Sequence, residues 1–222
     1  MDAEEILKGL NSDQRAAVLH DHEKGAQLLI LAGAGSGKTS VLTKRIQYRI
    51  LCGVEPEKIL ALTFTAKAAA EMRERVQKLF PNAGVRLCTF HSLALYMLKC
   101  KVPCGKKGGA GGECPAYELL GFKKMPVPTE SSEREFSQAL SKLKLKVNVS
   151  RENLFSDCYG AAVSAKLQPL REAVLESGQV VFEDLIYSAI QLLETNEAAR
   201  DYFRDQWKEI LVDEYQDINP SQ

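Results

Sequence analysis

The stretch LLILAGAGSGKTSVLTKRI, residues 28–46, narrows the fold more than any other part of the chain. An apolar run stops at AGAGSGKT and a helical pattern starts straight after it, which is the strand–loop–helix setting of a phosphate-binding P-loop. The residue types follow from the chemistry. Ala32, Gly33, Ala34, Gly35, Ser36 and Gly37 are small enough for successive backbone N–H groups to converge on an anion, and the helix start adds the positive end of its dipole. Lys38 is expected to bridge the β- and γ-phosphates of a nucleotide, and Thr39 to ligate Mg²⁺. The strict pattern begins with Gly where this chain has Ala32, an exchange that costs little if the position needs no positive φ. A glycine-rich turn with a chance Gly-Lys-Thr is the plainer alternative, and the flanking strand and helix patterns argue against it.

Three further apolar runs, ILALTFT (59–65), VRLCTF (85–90) and EILVDE (209–214), join residues 28–33 as predicted buried strands. Continuous apolarity, rather than alternation, marks strands covered on both faces and hence a parallel sheet between helices. Helical patterns follow the first three runs. In AKAAAEMRERVQKLF, Met72, Val76 and Leu79 share one face, while Glu71 with Arg75 and Glu74 with Lys78 form i,i+4 pairs on the other. The fold class is therefore α/β, doubly wound.

Between residue 100 and about residue 180 that alternation stops. GKKGGAGGE and MPVPTE read as loops. Helical patterns alone come after them: EREFSQALSKL, with Phe136, Leu140 and Leu143 in register, and RENLFSDCYGAAVSAKL with Ser150 as its N-cap. A last helix, FEDLIYSAIQLLE, leads through DYFRDQWKE to the fourth strand. The sheet domain is thus expected at 1–98 and 182–222, around a small all-helical insertion at 99–181.

The fourth run ends in ILVDEYQDINPSQ. Carboxylates at the carboxyl end of such a strand sit where α/β proteins carry out chemistry. Asp213 suits the holding of hydrated Mg²⁺, directly or through water, and Glu214 suits the polarising of a water that attacks the γ-phosphate. An acidic turn closing a strand is the bland alternative. Together with the loop, the pair implies nucleotide hydrolysis with Mg²⁺ but not what that hydrolysis drives.

Lys plus Arg and Asp plus Glu number 29 each, so overall charge proposes no partner; a nucleic-acid binder must localise its positive charge. No apolar run reaches the roughly 20 residues that cross a bilayer. The start, MDAEEILKGL, is acidic, unlike a signal peptide, so no membrane partner and a cytoplasmic location (nucleoid-associated in a bacterium) are expected. The six cysteines are irregularly spaced and read as reduced thiols; Cys100, Cys104 and Cys114 have a spacing untypical of a zinc site.

Five stretches in order, LNSDQRAAV, LAGAGSGKT, LTFTAKAAAEMRERV, CTFHSLALYML and ILVDEYQDINPSQ, resemble the Q motif and motifs I, Ia, Ib and II of superfamily 1 helicases of the UvrD/Rep/PcrA type. The resemblance implies a RecA-like P-loop NTPase domain, the family's 1A, with 99–181 as its helical 1B insertion by position. It gives Gln14 the task of reading the adenine edge of ATP, although Asn11 followed by Gln14 also resembles a capping box, and the two roles compete for one side chain. Thr63, Phe64, Thr65 and Lys67 are implied as a single-stranded DNA track, with Phe64 open to a core-packing reading as well. Ala66 stands where the family usually has Asn, which removes one polar contact. Thr89 and His91 are implied beside the DNA path, with Phe90 buried, and His91 also reads as an interior histidine. Lys142, Lys144 and Lys146 suit duplex DNA or a solvated helix edge equally.

The family's motor has two RecA-like domains, and the resemblance implies that this chain is the first of them. Its implied partners are single-stranded and junction DNA and the 2A/2B motor domain of the same parent. Charge-stabilising arginines of the later motifs are absent from the sequence, and such groups are worth roughly 10³ to 10⁵ in rate, so ATP binding with very slow hydrolysis is expected. The implied parent is a DNA helicase translocating 3′ to 5′ in repair or replication. The helicase part of a recombination helicase-nuclease and a nucleotide-dependent DNA-binding fragment without turnover are the alternatives.

Overall fold

The computed structural model describes residues 2–20, 27–104, 112–129, 131–155 and 158–222; of the glycine-rich loop expected across 105–113, residues 105–111 lie outside them, while Gly112 and Glu113 belong to a short strand, as do Val127 and Pro128 of the other expected loop, 125–130. In chain order the elements are α1 (Ala3–Leu7), α2 (Ser12–Leu19), α3 (Lys38–Leu51), β1 (Ile59–Thr63), α4 (Ala66–Leu79), β2 (Arg86–Thr89), α5 (Phe90–Lys99), β3 (Lys101–Cys104), β4 (Gly112–Pro115), α6 (Ala116–Leu119), β5 (Val127–Pro128), α7 (Ser132–Leu143), α8 (Ala161–Ser177), β6 (Gln179–Val180), α9 (Phe182–Thr195), α10 (Glu197–Gln206) and β7 (Glu209–Val212). They fall into two compact units, 1–90 with 205–219 and 91–204 with 220–222.

The first unit is built on β1. All five residues of ILALT are buried, as continuous apolarity requires, and β1 pairs in parallel with β2 on one side and β7 on the other. Leu62 lies opposite Cys88 and Val212, so the three strands end together. Thr65 starts α4 by accepting the Ala68 N–H on its hydroxyl at 3.1 Å. Ala69, Met72 and Val76 then recur at helical spacing on the buried face, and Glu74 pairs with Lys78 at 3.3 Å on the wet one. Ile46 of α3 and Met72 and Val76 of α4 meet Ile59, Ala61, Leu87 and Leu211 of the sheet in one apolar cluster. At the base of β7, Glu209 is buried and ion-paired with Arg49 of α3.

One expected strand is not there. Residues 28–33 are described, but the sheet has only the order β2–β1–β7, and 28–33 take no place in it. Ile30 packs against the cluster of Leu7, Val18 and Val41, while Leu29 and Leu31 are 62% and 86% exposed. Leu28, Ala32 and Gly33 are exposed as well, so the run contributes only Ile30 to a covered face, and its apolarity reports neither a ladder partner nor burial of the whole segment.

The second unit is mainly helical, α5 to α9 with most of α10, and it adds two short pairings: antiparallel β3–β4 and parallel β5–β6. Its helices differ from expectation at one start. Ser150 caps only a single tight turn over Arg151–Asn153, and the long helix α8 begins at Ala161. Arg151 is committed elsewhere, to Asp184 of α9 at 2.6 Å, to the Ser132 carbonyl at 3.1 Å and over the Phe136 ring of α7 at 4.6 Å. That tertiary tie overrides local helix propensity.

Candidate nucleotide site and strand-end surface

The loop between residue 32 and α3 owes its shape to two glycines. Gly35 and Gly37 hold φ of 74° and 85°, a region that β-carbons disfavour, and Gly37 is the N-cap of α3. Ala32 is not among the positive-φ residues, so its methyl costs nothing there. Ser36 closes the turn by donating its hydroxyl to the Gly33 carbonyl at 2.7 Å. Lys38, the first residue of α3, folds back so that its ammonium donates to the Ala32 and Gly33 carbonyls at 3.2 and 3.1 Å.

Thr39 makes the decisive contact. Its hydroxyl donates to Asp213 Oδ2 at 3.0 Å across 174 residues of sequence, joining the loop to the acidic end of β7. Asp213 is 4% exposed; its N–H continues the ladder to Leu62 O at 2.8 Å, and its Oδ1 accepts the Glu214 N–H at 3.0 Å. Glu214 leaves the strand in the left-handed region, φ 51° and ψ 48°, unusual for a residue with a β-carbon. Gln216 donates to Glu214 Oε2 and to Asp217 Oδ2, so a short acidic turn stands beside the loop.

Gln14 reaches the same loop. Its Oε1 accepts the Asn11 N–H at 3.0 Å and its own N–H donates to Asn11 Oδ1 at 2.9 Å, a reciprocal capping box; Nε2 meanwhile donates to the Ser36 carbonyl at 2.9 Å. The box fixes the amide against the loop. A primary amide has two acceptor lone pairs and two N–H donors, so one of each is left over for a ligand. Capping and ligand reading therefore do not exclude each other on this side chain.

The expected DNA residues separate by geometry. Thr63 is 1% exposed and spends its hydroxyl on the Thr65 carbonyl at 2.9 Å, and Thr65 uses its own as the helix cap. Phe64 is 55% exposed, which sets aside core packing, and Lys67 is exposed on the first turn of α4. Thr89, opposite Thr63 in register, is half-buried. Phe90, expected to be buried, is half-buried too. In the second unit, His91 is half-buried and meets the exposed ring of Phe182 edge-on at 5.8 Å. Sequence reasoning passed over Phe182 because it looked like one more apolar residue of a helix stripe. It also passed over Arg45, whose signal was a cation four residues after Val41 on a buried face.

Among the described residues no three His, Cys, Asp or Glu side chains cluster as metal ligands, and none of the six cysteines is in a disulfide. Burial pushes the Cys88 thiol above its ordinary pKa, with Arg86 and Arg73 partly offsetting it.

With this geometry in place, residues 10–222 match the family profile of the UvrD/REP helicase N-terminal domain. The chain belongs to that family. It is 34% identical to the ATP-dependent DNA helicase UvrD1 of Mycobacterium tuberculosis over 237 residues, covering 99% of this chain and 30% of the relative. The PcrA helicase of Staphylococcus aureus is 33% identical over 235 residues, covering 98% of this chain and 31% of the relative. This UvrD/REP domain thus spans about 30% of the length of the curated relatives it matches. No described helix is long and apolar enough to cross a membrane.

Proposed function

We propose that the chain is the ATP-binding N-terminal part of a DNA helicase that moves 3′ to 5′ on single-stranded DNA and opens duplexes in repair or replication. Residues 1–98 and 182–222 act as its domain 1A and 99–181 as its insertion 1B, in a cytoplasmic protein whose other partners are junction DNA and a 2A/2B motor domain. The observation that supports the reading is the 3.0 Å Thr39–Asp213 contact, which joins the glycine-rich loop to the acidic end of β7.

The groups divide the work by chemistry. The loop from Ala32 to Thr39 offers N–H donors to the phosphates, and Lys38 exchanges two neutral carbonyls for β- and γ-phosphate oxygens, a stronger charge-assisted contact. Mg²⁺ fits the Thr39 hydroxyl and Asp213 carboxylate, hard oxygens 3.0 Å apart, close to the separation of adjacent ligands at about 2.1 Å from one octahedral ion. Bound there, the ion would neutralise phosphate charge. Glu214, turned off the strand line, accepts the proton of the attacking water, and Gln216 orients its carboxylate. The spare acceptor and donor of Gln14 match adenine N6–H and N7.

Along the strand ends of the first unit, Phe64 offers a stacking face and Lys67 a phosphate contact, with Thr65 and Thr89 beside the path; His91, in the second unit, is a DNA contact in its own right. Thr63, its hydroxyl already committed, acts by shaping the strand end.

Calorimetric titration of residues 1–222 with ATP and Mg²⁺, beside the Lys38→Ala variant, tests the site. Loss of one charge-assisted contact, about 1.5–3 kcal/mol, predicts roughly 10- to 100-fold weaker binding with an unchanged circular dichroism spectrum. Equal affinity of the two proteins would overturn the proposal.

A further inference from the structure

Arg45 is 3% exposed, and its guanidinium Nη1 donates to the carbonyls of Ala17, Val18 and His20 at 3.1, 3.0 and 2.8 Å. These are the last carbonyls of α2, at the negative end of its dipole, where a cation is favourable. The other end of α2 carries Gln14, held by Asn11 and bonded to Ser36 of the phosphate loop. That loop runs straight into α3, two turns ahead of Arg45. The contacts close a ring: loop, α3, Arg45, α2, Gln14, and the loop again. Within it, Val18 is fully buried against Leu7 and Val41, so α2 has little room to shift while the Arg45 link holds.

We infer that Arg45 is a positioning residue for base selection: by tying the C-terminus of α2 to α3 it fixes where the Gln14 amide stands relative to the phosphate loop. The inference rests on the proposed reading of adenine by Gln14. Triphosphate binding is done by the loop N–H groups and Lys38, whereas α2 bonds to the loop through the Ser36 carbonyl, an acceptor that takes no part in holding an anion. Arg45 therefore affects which base is accepted and leaves phosphate affinity alone. Lysine in its place keeps the charge but ends one bond nearer the backbone than Nη1, short of the point from which the three carbonyls are reached.

The test is a displacement assay, in which a fluorescent ATP analogue bound to residues 1–222 is competed off by ATP, by GTP or by inorganic tripolyphosphate. Arg45→Lys is expected to lower the ATP-over-GTP preference by about fivefold or more, with tripolyphosphate affinity unchanged. Gln14→Ala should lose the same preference, and the double variant no more than Gln14→Ala alone. Asn11→Ala, an exposed substitution that loosens α2 from its other end, should lower the ratio as well and carries the test if Arg45→Lys fails to fold. An unchanged ratio in a folded Arg45→Lys, an unchanged ratio in Asn11→Ala, or a parallel loss of ATP, GTP and tripolyphosphate, would overturn the inference while leaving Gln14 its role. If Gln14→Ala keeps the preference, the adenine reading itself fails and takes the inference with it.

Discussion

Glu214 holds a backbone conformation that costs a residue with a β-carbon about 1–2 kcal/mol, next to the buried carboxylate of Asp213. Glycine relieves that cost and alanine does not. Glu214→Gly is therefore expected to gain about 1 kcal/mol in urea unfolding while Glu214→Ala gains none, and equal midpoints would mean the turn is unstrained. Phe64 poses the opposite case, an aromatic ring 55% exposed at the end of a buried strand. Phe64→Ala should leave the melting temperature nearly unchanged and weaken single-stranded DNA binding by about 1–3 kcal/mol; a clear loss of stability with intact DNA affinity would make it a packing residue. At this scale the sequence was most readable where type and spacing are both dictated, as in the positive-φ Gly37 that caps α3 and the meeting of Thr39 with Asp213. The hydroxyl of Thr63 and the second bond of Gln14 were not readable, because the first is decided by a local backbone bend and the second by a carbonyl 22 residues away.

Elements were legible in proportion to how much of their environment lies within their own residues. For α4, the cap, the apolar spacing and the ion pair are all local, and the helix runs where the pattern puts it, Ala66–Leu79. Met72 is its anchor, 1% exposed within the main apolar cluster. Met72→Ala is expected to cost about 2–5 kcal/mol in chemical denaturation, and a loss below about 1 kcal/mol would mean that the cluster collapses around the gap. Residues 28–33 were misjudged for the complementary reason. Their apolarity is shared by a strand inside a sheet and by a segment that contributes one residue, Ile30, to an apolar cluster with α1 to α3, and only the neighbours distinguish the two.

Across the whole molecule, equal numbers of basic and acidic residues mean that any DNA affinity comes from a few placed cations rather than a general field. Lys67→Ala is thus expected to lower the slope of log affinity for single-stranded DNA against log salt by about 0.7, the contribution of one phosphate contact, and an unchanged slope would remove Lys67 from the path. The α/β class and the helical character of the insertion were visible in the pattern of apolar runs; the β3–β4 and β5–β6 pairings, two to four residues per strand, are too short to leave a periodic signal. The sheet order has a consequence for biosynthesis. β1 finds β2 soon after emerging from the ribosome, but its other neighbour, β7, begins only at Glu209. At about 5–20 residues per second, one flank of ILALT stays bare for on the order of ten seconds during translation, long enough to make the nascent chain a natural client of ribosome-bound chaperones.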